Sequence, residues 1–270
     1  MKITVLADNL CCAGFDAEWG LSLHIAYHGK NILLDAGASS VFADNAARLG
    51  LDLKKVDLAV LSHAHFDHSD GMDCFFEINE KAPFWLRRGA KENCYARHPE
   101  GIEYIGIRPG TLKKYAARIR YADGDAEIAP GVWLIPHKLP HPEEAGRAAE
   151  MFTLVDGEYR VETFAHEQSL VFRTEQGLVI CNSCSHAGAD HILDEIAATF
   201  PGEKLYALVG GFHLFKTPDD SVRALALRLK ESGVAHVITG HCTGDRAFEI
   251  LKEELGDRAL QMAAGLEIGL

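Results

Sequence analysis

The sequence has no long hydrophobic run, since no stretch of about 18 consecutive apolar residues occurs in the chain. That absence excludes a membrane-spanning helix, and we expect no membrane partner. The start of the chain, Met1–Asp8, carries a charge at its second residue and too short an apolar run for a secretory signal peptide. These two absences together predict a cytoplasmic protein.

Basic residues are scarce, with 27 Lys and Arg against 39 Asp and Glu and a net charge of −12. Such a balance argues against a nucleic-acid-binding surface, and so against a nuclease. No linker-like, low-complexity or repeated segment divides the 270 residues, so we expect one domain over 1–270. The seven cysteines lack a disulfide-type spacing and are expected to be reduced thiols. The sequence is compatible with a homo-oligomer and does not decide the oligomeric state.

Apolar alternation and turn residues predict two hairpins, 21–27 with 31–35 and 170–174 with 178–182. Later segments alternate strand and helix, and the clearest helix covers 218–232, where Pro218 is its first residue and Gly233 ends it. Two packed sheets with helices outside fit this order. A single parallel sheet fits less well, because hairpins require antiparallel pairs.

The run His63-Ala64-His65-Phe66-Asp67-His68 places four metal-ligand side chains within six residues. It follows the apolar segment 57–62, which predicts a buried strand, so the ligands lie in the turn at the strand's end. Imidazole and carboxylate bind Zn²⁺, Fe²⁺ and Mn²⁺, which activate water at neutral pH. The run therefore predicts one or two divalent metal ions, with zinc preferred over iron or manganese.

Three later segments also place ligand-type residues at the end of an apolar strand: Cys184-Ser185-His186, His213 and His241. Strand ends at one edge of a sheet converge in space, so we expect these residues to meet the first run. Cys184, His186 and His241 are predicted metal ligands, and His213 is a predicted catalytic residue of the pocket.

The run His63–His68, preceded by Asp35-Ala36-Gly37 and followed by Gly240-His241, resembles the metallo-β-lactamase superfamily. Further segments resemble one branch of that superfamily, which includes 7,8-dihydropterin-6-methyl-4-(β-D-ribofuranosyl)aminobenzene-5′-phosphate synthases, enzymes of a dihydropteroate-synthase-like step. These segments are Asp8-Asn9, Gly20–Leu23, Cys184–Gly188, Gly210–Leu214 and Gly240–Gly244. The resemblance implies an α/β fold, the four-layer αββα sandwich, with its metal site between the sheets.

The resemblance also implies a division of ligands. His63 and His65 would bind a first metal with His186 near it, and Asp67, His68 and His241 would bind a second. An extended His-x-His pair points both imidazoles to one side, in keeping with this division.

The sequence departs from the superfamily pattern where dinuclear members carry a bridging Asp, because Cys184 stands at that point. A thiolate is softer than a carboxylate and favours zinc. The usual third His before the second hairpin is also displaced, and His166 or Glu167 lies near its expected position. Whether either is a ligand stays open at this stage.

The segment from about 72 to 165 is long for a connection between metal motifs, and we expect a substrate-side insertion there. Its aromatic and basic residues would suit a phosphorylated, ring-bearing substrate. The aromatic and basic residues of this segment include Trp85, Arg87, Arg88, Tyr95, Tyr104, Arg108, Lys113 and Lys114.

The sequence therefore predicts a metal-dependent enzyme of the hydrolase superfamily that acts on a small phosphorylated or pterin-like molecule. In a hydrolytic reaction, Asp67 would move the proton of the attacking water. In a synthase, the resemblance implies loss of pyrophosphate from a dihydropterin methyl diphosphate. The alternatives are a phosphodiesterase or ester hydrolase of other specificity, and a sensor that binds metal or ligand without turnover.

Overall fold

The computed structural model describes residues 1–138 and 141–270, and its strands within these ranges form three sheets. The first nine strands are β1 (Lys2–Ala7), β2 (Ser22–Tyr27), β3 (Lys30–Leu34), β4 (Leu58–Val60), β5 (Phe84–Arg87), β6 (Tyr95–His98), β7 (Gly101–Tyr104), β8 (Ile119–Ala122) and β9 (Ala126–Ala129). The following nine are β10 (Val132–Pro136), β11 (Met151–Val155), β12 (Glu158–Val161), β13 (Gln168–Thr174), β14 (Gly177–Cys181), β15 (Leu205–Gly210), β16 (His236–Thr239), β17 (Ala259–Gln261) and β18 (Glu267–Gly269).

Helices connect these strands and cover the sheets. They are α1 (Val41–Arg48), α2 (Phe66–Ser69), α3 (Met72–Ile78), α4 (Thr111–Lys114), α5 (Pro142–Ala149), α6 (Ala189–Thr199), α7 (Asp219–Glu231) and α8 (Asp245–Leu255), with short 3₁₀ turns at Leu53–Lys55, His241–Thr243 and Gly256–Arg258. Among the residues that the structure describes, no helix has the length and apolar character that crossing a membrane requires.

Two sheets have seven strands each, in the orders β18-β1-β2-β3-β4-β5-β8 and β17-β16-β15-β14-β13-β10-β9. Each is mixed: the hairpins β2–β3 and β13–β14 are antiparallel, whereas β3–β4, β14–β15 and β15–β16 are parallel. The hairpins explain why a purely parallel sheet does not fit this chain, as the sequence predicted.

The side chains of each strand alternate between two cores. On β3, Ile32 and Leu34 face Phe172 and Val209 of the other sheet in the core between the sheets. Leu33, the residue between them, packs outward with residues of α1 and α3. The outer face of the second sheet is likewise covered by α6, α7 and α8. These layers form the αββα sandwich, which confirms the predicted fold class.

The segment 72–165 is not a single insertion, contrary to the prediction. Its strands β5 and β8 complete the first sheet, and β9 and β10 complete the second. Phe84 and Leu86 are fully buried on β5, so this strand belongs to the sandwich core. Within the described part of this segment, the third sheet, with the order β12-β11-β6-β7, and the neighbouring α5 are the addition to the sandwich.

The parallel strands determine where the predicted metal site lies in the fold. Four turns leave the carboxyl ends of β4, β14, β15 and β16, and these turns carry the runs that begin at His63, Cys184, Gly211 and His241. The turns after β14, β15 and β16 share one edge of the second sheet, because these strands are parallel neighbours. The turn after β4, which belongs to the first sheet, meets them at His68, whose Nε2 lies 3.3 Å from Cys184 Sγ.

Candidate metal centre

Three imidazoles from two different turns converge on one point. The Nε2 atoms of His63, His65 and His186 are buried, and none has a hydrogen-bond partner in the part of the chain that the structure describes. Ligand atoms of these three residues lie within 4.8 Å of one another. We call His63, His65 and His186 the first donor set. Buried ring nitrogens without partners are costly, and a shared cation would satisfy all three.

Hydrogen bonds at the far side of the rings orient two of these nitrogens, those of His63 and His186. His186 Nδ1 lies 2.9 Å from Glu167 Oε1, so it carries the proton and leaves the Nε2 lone pair free. The Ser62 hydroxyl donates to Asp35 and therefore accepts from His63 Nδ1 at 2.8 Å, which frees His63 Nε2 in the same way. Burial lowers the pKa of all three imidazoles of the set, which favours the neutral, metal-binding form.

The carboxylate of Glu167 holds His186 in place through three contacts. It accepts from His186 Nδ1, from the His186 amide at 3.0 Å and from the Ala187 amide at 3.1 Å. Burial opposes its ionisation, but the adjacent His186 outweighs that effect and lowers the pKa of Glu167 to about 2. Glu167 therefore orients a donor and does not face the donor set itself.

Replacement Glu167→Gln is expected to weaken metal binding at the first donor set by roughly 10–100-fold, because an amide does not fix the His186 tautomer as a carboxylate does. Competition with a chromophoric zinc chelator measures this affinity. Glu195→Gln is the matched control, since Glu195 accepts from His137 Nδ1 at 3.1 Å outside both donor sets. Equal zinc affinity in the Glu167→Gln variant and the unaltered protein would contradict this role.

Four donors beside the first set lie at the spacing of a tetrahedral metal site. His68 Nε2 is 3.2 Å from His241 Nε2, 3.3 Å from Cys184 Sγ and 3.6 Å from Asp67 Oδ2. Asp67 Oδ2 is in turn 3.4 Å from His241 Nε2. Ligands on tetrahedral zinc, at bond lengths of about 2.0–2.3 Å, are separated by roughly 3.3–3.8 Å. We call Asp67, His68, Cys184 and His241 the second donor set.

The second donor set is also oriented from behind. His68 Nδ1 donates to Asp35 Oδ2 at 2.9 Å, and His241 Nδ1 donates to Asn9 Oδ1 at 3.0 Å. Both Nε2 atoms therefore point to the same place, 3.2 Å apart and beside Asp67 Oδ2. A divalent cation there could take the place of the imidazole proton and bind both nitrogens and the carboxylate. The residues of both donor sets thus fit divalent metal ions.

Several of these turns have strained backbone. Asp35, Ser185, His213 and His241 adopt φ values of 57°, 55°, 51° and 47°, in the left-handed region that residues other than glycine rarely occupy. Such conformations persist only where the surroundings enforce them. In these conformations the turns place Cys184 beside both His213 and His241.

His166 supports the metal-binding turn and does not belong to either donor set. Its Nδ1 accepts from the Ala64 amide at 3.1 Å, so its ring proton is on Nε2. That nitrogen faces Cys94 Sγ at 3.6 Å and Glu162 Oε2 at 3.7 Å. A protonated nitrogen is a donor and not a metal ligand. His166 therefore fixes the backbone between His63 and His65.

A cavity of about 980 Å³ opens directly on both donor sets. His213 lies in its wall, with its ring centroid 4.6 Å from that of His186 and with a buried Nδ1 that has no partner among the described residues. Of the aromatic and basic residues noted between 72 and 165, Tyr104 and Arg108 line this cavity. The others noted there are not among its lining residues.

The structure adds residues that the sequence did not single out as functional. Ser62, Asn9 and Asp35 orient residues of the donor sets through hydrogen bonds, and the Ala64 amide bonds to His166, which supports the turn. For Asn9 and Asp35 the sequence does carry a signal, because both lie in segments that resemble the superfamily, Asp8-Asn9 and Asp35-Ala36-Gly37. Ser62 and Ala64 flank ligands in sequence but belong to no pattern that predicts such contacts.

Comparison with known proteins agrees with this architecture. The family model described as the metallo-beta-lactamase superfamily matches residues 20–142. The chain is 28% identical to the 7,8-dihydropterin-6-methyl-4-(β-D-ribofuranosyl)-aminobenzene-5′-phosphate synthase of Methanocaldococcus jannaschii, over 98% of this chain and 95% of that protein.

Solved structures give the same result. The crystal structure of Tm1679, described as a metal-dependent hydrolase of the β-lactamase superfamily, is 32% identical and superimposes with a TM-score of 0.84, covering 100% of this chain and 99% of that one. The metallo-β-lactamase fold protein YhfI from Bacillus subtilis, 15% identical, shares the fold with a TM-score of 0.61 over 99% of both chains. This protein belongs to the metallo-β-lactamase superfamily.

Proposed function

We propose that this protein is a metal-dependent enzyme that joins a dihydropterin-methyl unit to a ribosylated and phosphorylated aminobenzene, with release of pyrophosphate. The observation that carries the proposal is the convergence of both donor sets on one cavity whose walls combine aromatic rings with cations. The likeness to the Methanocaldococcus jannaschii synthase over nearly the full length of both chains supports this substrate class.

The cavity walls suit flat, anionic substrates. Trp19 and Phe215 are 47% and 42% exposed, and their rings meet edge to face at 5.6 Å beside the second donor set. Exposed aromatic faces stack on planar rings such as a pterin or an aminobenzene. Arg97, Arg108 and Lys216 also line the cavity and would pair with phosphate. At about 980 Å³ the cavity lies at the upper end of ordinary ligand sites, enough for two ring systems.

In the proposed reaction a carbon–oxygen bond to the diphosphate breaks, and the aminobenzene nitrogen or ring forms the new bond to that carbon and loses a proton. When bound, a divalent metal supplies charge neutralisation to the departing pyrophosphate. Within the chain, we assign the proton acceptor to His213 Nδ1, a ring nitrogen of the cavity wall that lies outside both donor sets and has no hydrogen-bond partner among the described residues. Trp19 and Phe215 would hold the rings in register for attack.

Hydrolysis is the second candidate, and the 32% identity to Tm1679, described as a hydrolase, favours it. The same donor sets would serve it, with water in place of the aminobenzene and Asp67, which lines the cavity, near the attacking oxygen. The two reactions differ in whether pyrophosphate release requires the second substrate.

Incubation of zinc-loaded protein with dihydropterin methyl diphosphate tests both candidates. We expect pyrophosphate release only when the ribosylated aminobenzene phosphate is also present, together with the joined product by mass spectrometry. A chelator should stop the reaction and added zinc should restore it. Pyrophosphate or phosphate release at the same rate with water alone would replace the synthase by the hydrolase. No turnover under either condition would overturn both for these substrates.

A further inference from the structure

A second thiol lies directly behind the cysteine of the second donor set. Cys184 Sγ and Cys242 Sγ are 3.4 Å apart, although the two residues are 58 positions apart in sequence. Cys184 is 3% exposed and Cys242 is 1% exposed, and both lie in the wall of the cavity. Both are free thiols. Cys242 follows the donor His241, so the pair joins two of the turns that form the site.

The backbone is built to permit this approach. A Cβ atom on Gly211 would lie 2.6 Å from Cys242 Sγ and 2.6 Å from the Ser183 carbonyl oxygen, so only glycine allows the two turns to come so close. The amide of His213 donates to Cys242 Sγ at 3.2 Å and fixes the position of that sulfur. Cys184 Sγ in turn lies 3.3 Å from His68 Nε2. The same Cys184 sulfur is therefore within reach of a metal ligand on one side and of a thiol on the other.

We propose that Cys184 and Cys242 are a redox modification site, in which a disulfide between them removes Cys184 from the second donor set and releases its metal. The inference rests on the proposed function, because it requires a metal at that set. A disulfide sulfur lacks the negative charge with which a thiolate binds zinc. Asp67, His68 and His241 would remain as three ligands of a weakened site.

A peroxide is the oxidant that the geometry suits, since it is small enough to reach sulfurs in the cavity wall. One sulfur attacks a peroxide oxygen and becomes a sulfenic acid, and the other oxygen leaves as water. The neighbouring sulfur, 3.4 Å away, then displaces the sulfenic oxygen as a second water and forms the S–S bond. Two thiols lose two electrons and two protons in total, and one hydrogen peroxide becomes two waters. A dithiol reductant reverses the modification by exchange.

The test uses zinc-loaded full-length protein in which Cys11, Cys12 and Cys74, the exposed and half-exposed cysteines, are replaced by serine. After treatment with stoichiometric hydrogen peroxide, peptide mapping should find Cys184 and Cys242 linked, with the loss of two hydrogen atoms in mass. Zinc content after desalting should fall from two equivalents to one. Dithiothreitol followed by zinc should restore both the thiols and the second equivalent.

Two cysteine variants test whether the link and the reversible loss of zinc depend on Cys242. Cys242→Ser should start with two zinc equivalents, form no link, and lose zinc in a way that dithiothreitol does not reverse, because Cys184 oxidises further without a resolving thiol. Cys181→Ser, a change at a fully buried cysteine of β14, should behave as the background protein.

Three results would overturn the inference: no Cys184–Cys242 link while zinc is retained, a link that leaves the zinc content unchanged, or loss of a zinc equivalent in untreated Cys242→Ser, which would make Cys242 a ligand. Failure of the proposed function appears separately, as absence of the condensation in untreated, zinc-loaded protein.

Discussion

Replacement of His63 by alanine is expected to lower the rate of the metal-dependent reaction by on the order of 10³-fold, since metal ions supply several kcal/mol of charge stabilisation and each 1.4 kcal/mol is about tenfold in rate. His63 is fully buried and contributes one of the three nitrogens of the first donor set. The centroid of its ring also lies 4.2 Å from that of His68, so removal of the His63 ring takes away a packing contact of the second donor set.

The measurement pairs the rate of pyrophosphate release with zinc content by elemental analysis, and circular dichroism reports whether the fold is retained. His24→Ala is the matched control, because His24 is a buried histidine on β2 that belongs to neither donor set. The control should keep its zinc and its rate. Full zinc content together with an unchanged rate in His63→Ala would remove His63 from the metal site.

The second large effect is expected for His213→Gln, which should lower kcat by roughly 10²–10⁴-fold while zinc content and KM change little. Glutamine keeps much of the volume and polarity of histidine but cannot accept a proton at neutral pH. His213 Nδ1 is buried in the cavity wall without a partner among the described residues, and unlike the nitrogens of His65 and His186 it belongs to neither donor set, so a metal would leave it free to act as a base.

Steady-state kinetics and elemental analysis on the same preparation distinguish a proton acceptor from a ligand. A fall in kcat at constant zinc content supports the first role, whereas loss of zinc in step with kcat supports the second and contradicts the prediction. His236→Gln serves as the control, since His236 is at the opposite end of the same sheet, at the start of β16. Its kcat should stay that of the unaltered protein.

The sandwich fold was predictable from the sequence, because many of its strands show a clear pattern of apolar residues. The hairpin of β2 and β3 alternates between two cores, and the sequence predicts each of its four boundaries to within one residue. The ligand turns were equally visible, since each follows a short apolar strand. Both signals are local, and local patterns are what a single sequence shows most directly.

Other features were not predictable because they depend on pairing across the chain. Strands β9 and β11 are short and half-buried, so their apolar alternation is weak. Whether Glu167 binds a metal or orients His186 depends on which way its side chain points, and that follows from the packing of the turn after β14. The Cys184–Cys242 contact likewise requires two turns to meet, and no spacing rule anticipates it.

The second donor set also determines when the metal centre can form during translation of the chain. His68 and His241 are 173 residues apart in sequence, yet they meet at 3.2 Å. At roughly 5–20 residues per second, a ribosome takes about 10–35 s to add the intervening chain. Throughout that interval the nascent polypeptide holds an unmatched histidine-rich turn. The second donor set therefore closes only after His241 has been added, and its occupancy reflects the metal supply that the chain meets from that point on.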